Sequence, residues 1–129
     1  YRLDSYLKYC EWNIQEKMKE EMLKCSILIV SQSNTQDAMG RLPAKFFEYL
    51  GTGIPIIAIG RKNSDLSKIV LKYQCGFFLE FNQLHKLSSF LLIYYDKYLQ
   101  KERNLKNNHV DVFSWKNQAS NLIDLLKNL

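Results

Sequence analysis

Gly40-Arg41-Leu42-Pro43-Ala44-Lys45-Phe46-Phe47-Glu48-Tyr49-Leu50-Gly51-Thr52-Gly53-Ile54-Pro55-Ile56-Ile57-Ala58-Ile59-Gly60 is the stretch that decides the fold. It reads as a polar loop, a helix opened by a proline, a stop made of two glycines, and a strand. Pro43 suits the first turn of a helix, where a missing N–H costs nothing. Gly51 and Gly53 can take the left-handed conformation that ends one. Ile54 to Ile59 is an aliphatic run without polar alternation, as expected of a strand covered on both faces. Lys45 and Glu48 share a helix face close to an N-terminus that attracts anions. A cation, an anion-attracting helix end and a carboxylate in that order suit a nucleotide, with phosphates at the helix start and ribose hydroxyls further along.

Outward from this stretch, strands and helices alternate. Upstream, Leu7 to Tyr9 reads as a short strand leading into Cys10-Glu11-Trp12. Asn13 and Glu16 form a capping-box-like start to a helix that runs through Lys24, with Ile14, Met18 and Met22 at helical spacing. Ile27 to Val30 reads as a buried strand and Ser31 to Met39 as a loop at its carboxyl end. Downstream, Ser64 caps a helix with Leu66, Ile69, Val70 and Tyr73 inward, and Gly76 to Glu80 is a further strand. Asn82 opens a longer helix striped by Leu84, Leu87, Leu91, Tyr95 and Tyr98. Lys101 to Asn108 is a charged connection. Ser114 caps a last helix whose Trp115, Ala119, Leu122, Leu126 and Leu129 face one way. About four strands separated by helices imply an α/β fold, a Rossmann-like parallel sheet flanked by helices and joined by right-handed crossovers. Ligands of such sheets sit beyond the carboxyl ends of the strands. The loop after Val30, the Pro43 helix and Cys10-Glu11-Trp12 are expected at that rim.

The 129 residues, 47% of them hydrophobic, suit one folded domain rather than disorder. No apolar run approaches the roughly 18 residues of a membrane span. The start, Tyr1-Arg2-Leu3-Asp4, has no signal-peptide pattern and no Met, so a fragment of a cytoplasmic protein is expected. Cys10, Cys25 and Cys75 are widely spaced and form no Cys-x-x-Cys pair, which points to reduced, mostly buried thiols without function. His85 and His109 stand far from any Cys, so no metal site is expected. The net charge of +5 fits an anionic nucleotide, peripheral contact with an acidic membrane face, or a solvated surface; no dense basic run points to nucleic acid. There is no P-loop, no Gly-x-Gly-x-x-Gly and no Gly-x-Ser-x-Gly nucleophile turn.

The quoted stretch resembles the nucleotide-sugar-binding segment of bacterial group 1 glycosyltransferases of the GT-B fold. In that family a helical Glu, then a small-residue turn, Gly-x-Pro and an aliphatic strand hold the donor ribose; Glu48, Gly53 and Pro55 match. Pro43-x-Lys45-x-x-Glu48-Tyr49-Leu50 is similar to a subgroup common in surface-polysaccharide synthesis, and Phe113-Ser114-Trp115 to the family's closing helix. The resemblance covers most of the chain and implies the C-terminal donor-binding domain of a retaining hexosyltransferase without a metal or other cofactor. It implies a nucleotide-diphosphate sugar as donor, and an acceptor held by an N-terminal domain that this chain lacks, so that the chain alone transfers no sugar. In many members a second Glu stands eight positions before the first and contacts the donor sugar; Gly40 stands there instead, and that role does not carry over.

On this reading Glu48 accepts both ribose hydroxyls, against the plainer reading of a solvated helix carboxylate. Lys45 either neutralises the diphosphate or forms a helical pair with Glu48. Arg41 either clamps phosphate with its planar fork or is a solvated loop residue, and Ala44 opens the helix that faces the diphosphate. Trp12 either stacks on a base or packs against the sheet edge; Glu11 and Gly40 are the other candidates at the base or donor rim. The catalytic residues are unassigned. Two competitors stand beside the transferase: a GT-B-fold sugar-nucleotide 2-epimerase, which shares the ribose Glu, and a non-enzymatic flavodoxin-like binding module.

Overall fold

A computed structural model describes residues 4–9, 15–100 and 110–128. The chain forms α1 (Gln15–Leu23), β1 (Leu28–Ser31), α2 (Ala44–Thr52), β2 (Ile56–Gly60), α3 (Asp65–Tyr73), β3 (Gly76–Glu80), α4 (Leu87–Leu99) and α5 (Trp115–Lys127). Short 3-10 turns occupy Asp4–Tyr6, Gln36–Ala38, Phe81–Lys86 and Val110–Phe113. The three strands form one parallel sheet in the order β1-β2-β3, with Leu28 opposite Ile56 and Ile56 opposite Gly76. This is the α/β, Rossmann-like arrangement expected, a parallel sheet with helices on its faces.

The order without reversal places both crossover helices, α2 and α3, on one face. There Val30, Ile56 and Ala58 pack with Phe46 and Leu50 of α2 and with Leu66 and Val70 of α3 in one buried cluster. The opposite face carries Ile57, Phe77 and Leu79, and α4 packs against it through Phe90. The rings of Phe77 and Phe90 stack at 4.3 Å between centroids. Strand β2 is therefore covered on both sides, as its unbroken aliphatic run requires.

Local signals explain most element ends. Ser64 caps α3 by accepting from the Ser67 N–H at 3.2 Å, and Ser114 caps α5 in the same way through Asn117. Gly53 closes α2 with φ 71°. Pro43 is the residue before the helix rather than in its first turn, and Gly51 is an ordinary helical residue, so one glycine makes the stop, not two. Gly76 answers a different demand. A Cβ there would lie 1.8 Å from the backbone oxygen of Ile56, so only glycine lets β3 come this close to β2.

Five expectations are corrected. Leu7–Tyr9 is not a strand; a 3-10 turn precedes it, and the described residues hold three strands, not four. Strand β1 is not buried throughout. Leu28 and Val30 are covered, but Ile29, on the opposite face of this edge strand, is 57% exposed. The polar segment 31–39 contains the turn Gln36–Ala38. The helix expected from Asn82 starts as a 3-10 turn, and its buried side is Phe90 and Tyr94, not the stripe of Leu84, Leu91, Tyr95 and Tyr98. Finally, the apolar stripe of α5 is open: Trp115 is 92% exposed and no residue of the helix is buried. What anchors that end of the chain is Phe113, whose ring meets Phe47 of α2 at 5.8 Å and Tyr73 of α3 at 5.1 Å. Cys10-Glu11-Trp12, the Asn13 cap, Ile14, Lys101 to Asn108, His109 and Leu129 lie outside the described residues.

The two glycines give opposite expectations. Gly76→Ala forces β2 and β3 apart and should destabilise the chain by about 3 kcal/mol. Gly51→Ala, at an exposed helical site with no atom within 4 Å of the new methyl, should stabilise it by about 0.5 kcal/mol. Urea unfolding of both variants checks the pair; a shift of the same sign in both contradicts the argument.

Candidate functional site

The carboxyl ends of β1, β2 and β3 form one rim, and the segment between Gln32 and Pro43 crosses it on the way to α2. Gln32 holds this crossing in place. It is 8% exposed; its backbone N–H donates to the Ile59 carbonyl at 2.9 Å, extending the β1–β2 ladder. Its side-chain amide donates to the carbonyls of Ala38 (3.2 Å) and Arg41. The Asp65 N–H, at the start of α3, donates to the Met39 carbonyl at 2.9 Å. One buried amide and one helix end thus fix where α2 begins. Gln32 stands in the polar segment read as a plain loop. Its position directly after a β-branched strand was the available signal.

Of the expected site residues, Gly40, Arg41, Ala44, Lys45 and Glu48 lie together along the approach to α2 and its first turns, all exposed. The start of α2 differs from those of α3 and α5: Pro43 provides no side-chain cap, and no acidic residue lies in the first turn. The first N–H groups of a helix have no intrahelical acceptor, so those of Ala44 and Lys45 have none within α2 and no side-chain cap from Pro43. Lys45 and Glu48 do not form the helical pair. The i,i+3 pairs Glu21–Lys24 (2.6 Å) and Asp65–Lys68 (3.0 Å) do form on α1 and α3. Among the described residues Glu48 makes no hydrogen bond or ion pair; the partial burial of the neighbouring Tyr49, and then the negative charge of Glu48, push the Tyr49 hydroxyl above its ordinary pKa. Arg41 is less open. Its guanidinium meets Asp37 at 3.1 Å, and the Thr35 hydroxyl, then Arg41, hold the Asp37 carboxyl below its usual range. A phosphate at Arg41 must compete with that carboxylate. Trp12 and Glu11 lie outside the described residues.

A cleft of about 400 Å³ that sequence reasoning missed opens at the same rim, beside these residues but not lined by them. Asn34 and Gln36 reach it from the segment after β1, Arg61 and Lys62 from the turn after β2, and Glu80 and Asn82 from the end of β3. The turn is closed by the Ser64 N–H donating to the Arg61 carbonyl at 3.2 Å, with Asn63 in the left-handed region at φ 62°. A second groove, about 710 Å³, runs between Ser26 and Ile27 ahead of β1 and Leu91, Tyr95 and Tyr98 of α4; its walls are mainly apolar.

The thiols divide rather than being mostly buried. Cys75 is fully buried, and burial pushes its pKa up; Cys25 is exposed, its thiol donating to the Glu21 carbonyl at 3.4 Å. Among the described residues no group of three or more His, Cys, Asp or Glu is placed to hold a metal ion, and no helix is long and apolar enough to cross a membrane.

No protein-family model matches this chain, and no curated protein or solved structure matches it.

Gln32→Leu keeps the volume but removes the donor of two hydrogen bonds. It should cost about 1–3 kcal/mol in urea unfolding and speed hydrogen exchange at Met39 and Arg41; an unchanged loop would show that Gln32 does not hold the crossing. Native thiol titration should modify Cys25 freely and Cys75 only on unfolding. Modification of Cys75 at the rate of Cys25 would contradict its burial.

Proposed function

We propose that this chain is the donor-binding part of a GT-B-type glycosyltransferase, holding a nucleotide-diphosphate sugar at the start of α2 for transfer to an acceptor bound by a second domain. The observation that carries the reading is the pairing pattern. An uncapped helix end without first-turn acids is followed by Lys45 and Glu48, which remain apart although helix geometry allows them to pair. An N–H-rich helix end and a lysine compensate the two phosphates. The Glu48 carboxylate, about one turn further, accepts from both ribose hydroxyls, a task suited to its two oxygens. Sugar transfer needs a held leaving group and charge compensation on the departing diphosphate, and both are within reach of these residues. Transfer in surface-polysaccharide synthesis follows from the sequence resemblance alone, as does the retaining outcome; contact with the inner membrane face rests on the net charge of +5.

Glu48→Gln tests this reading. The change keeps the shape, removes the charge and places a donor where an acceptor is needed. A charge-assisted hydrogen bond is worth roughly 1.5–3 kcal/mol, so affinity for a nucleoside diphosphate should fall on the order of tenfold to a hundredfold. The melting temperature should hold, because the side chain is exposed. A 2′-deoxy nucleotide should bind the unchanged chain more weakly, and that gap should shrink in the variant. Equal binding of ribo- and deoxyribonucleotides by both forms would remove Glu48 from the site.

A further inference from the structure

The cleft beyond the strand ends takes no part in the nucleotide site on α2, and its charges stand in an arrangement of their own. Arg61 is held by neutral acceptors, the Asn34 carbonyl and Gln36 Oε1, each at 3.4 Å. Neither Arg61 nor Lys62 enters any of the three ion pairs of the described residues, and neither does Glu80 on the other side of the same cleft. Gln83 donates one hydrogen bond to Glu80 at 3.2 Å, which leaves acceptor positions of the carboxylate open. Gly60 lines the cleft, and behind it, outside the lining, lies Gln32 Oε1, a buried oxygen with no donor among the described residues. Opposite charges that share a cleft without neutralising each other favour a ligand that bridges them. The cationic side calls for an anion, and an arginine and a lysine together match a phosphate dianion better than a single carboxylate. The acceptor side calls for hydroxyl donors. Phe81 and Met39 add an apolar wall for the carbon face of a ring, and the volume of about 400 Å³ is within the range of small-ligand sites.

We propose that this cleft binds a phosphomonoester carrying vicinal hydroxyls, with the phosphate at Arg61 and Lys62 and the hydroxyls at Glu80. That chemistry belongs both to sugar phosphates and to nucleoside monophosphates. Its place beyond the carboxyl ends of parallel strands is where open α/β sheets hold ligands, and it is independent of Glu48.

Titration calorimetry of the 129-residue chain with glucose 6-phosphate and with adenosine monophosphate tests it, using glucose and inorganic phosphate as the separated halves. Saturable binding of at least one phosphomonoester is expected, with each half weaker on the order of tenfold or more. Arg61→Gln should weaken binding on the order of tenfold, and Lys62→Gln and Glu80→Gln several-fold, all three with normal melting. Lys19→Gln, which removes the same charge from α1, should change nothing. Tighter binding of the mononucleotide assigns the site to nucleotides, and tighter binding of glucose 6-phosphate to free sugar phosphates. Three results overturn the proposal: no saturable binding of either compound at millimolar concentration, phosphate alone binding as well as its esters, or binding that survives all three cleft substitutions.

Discussion

The burial of β2 between two parallel neighbours and two helical layers is the constraint from which the rest follows. Its backbone is bonded on both edges and its side chains are covered on both faces, so it cannot shift without exposing aliphatic surface or breaking a ladder. Gly76 lets β3 approach it, and the N–H of Gln32 continues its ladder with β1 past the last strand residue. Because β2 is fixed, its carboxyl end is fixed, and so are the turn that presents Arg61 and Lys62 and the start of α3. The start of α3 then holds the segment that leads into α2 through the Asp65 N–H.

Two groups of unpaired charge share the rim, and they differ in origin. Lys45 and Glu48 come from one helix and stay apart although they are close enough to pair. Arg61, Lys62 and Glu80 come from two strand ends and are set apart by the sheet itself. In both, charge left uncompensated among the described residues is available to a ligand. Surface ion pairs are worth at most about 1 kcal/mol, so leaving these charges unpaired costs the fold little. The contrast is Arg41, whose pairing with Asp37 makes it a poorer phosphate ligand than its place before a helix suggests.

The two faces of the sheet are not equally finished. Helices α2 and α3 close theirs around fully buried Phe46, Leu66 and Val70. On the other face Ile57 and Leu79 are buried and Phe90 of α4 stacks on Phe77, but Ile29 is open at the edge, and Leu92, Ile93 and Tyr95 of α4 are exposed. Helix α5 is held to the domain through the Phe113 turn that precedes it, with Phe113 between Phe47 and Tyr73. For both helices, apolar spacing alone marks a stripe but not whether anything covers it.

The sequence by itself determined the alternation around Gly40–Gly60, the Ser64 and Ser114 caps, the stop at Gly53, and the extent of β3. These are effects of near neighbours: an aliphatic run without polar breaks, a side-chain oxygen three residues before an N–H, a residue without a Cβ where φ turns positive. It also marked Glu48 and Lys45 as chemistry on one helix face, since helix geometry converts spacing into proximity. Only the tertiary structure decided which stripe of α4 is buried, because Phe77 supplies the ring that Phe90 stacks upon. It decided that Gln32 is an anchor, since its two acceptors are placed by the return of the chain across the rim. The cleft was illegible for the same reason: its residues come from three separate strand ends, and no local pattern records that a parallel ladder brings them side by side.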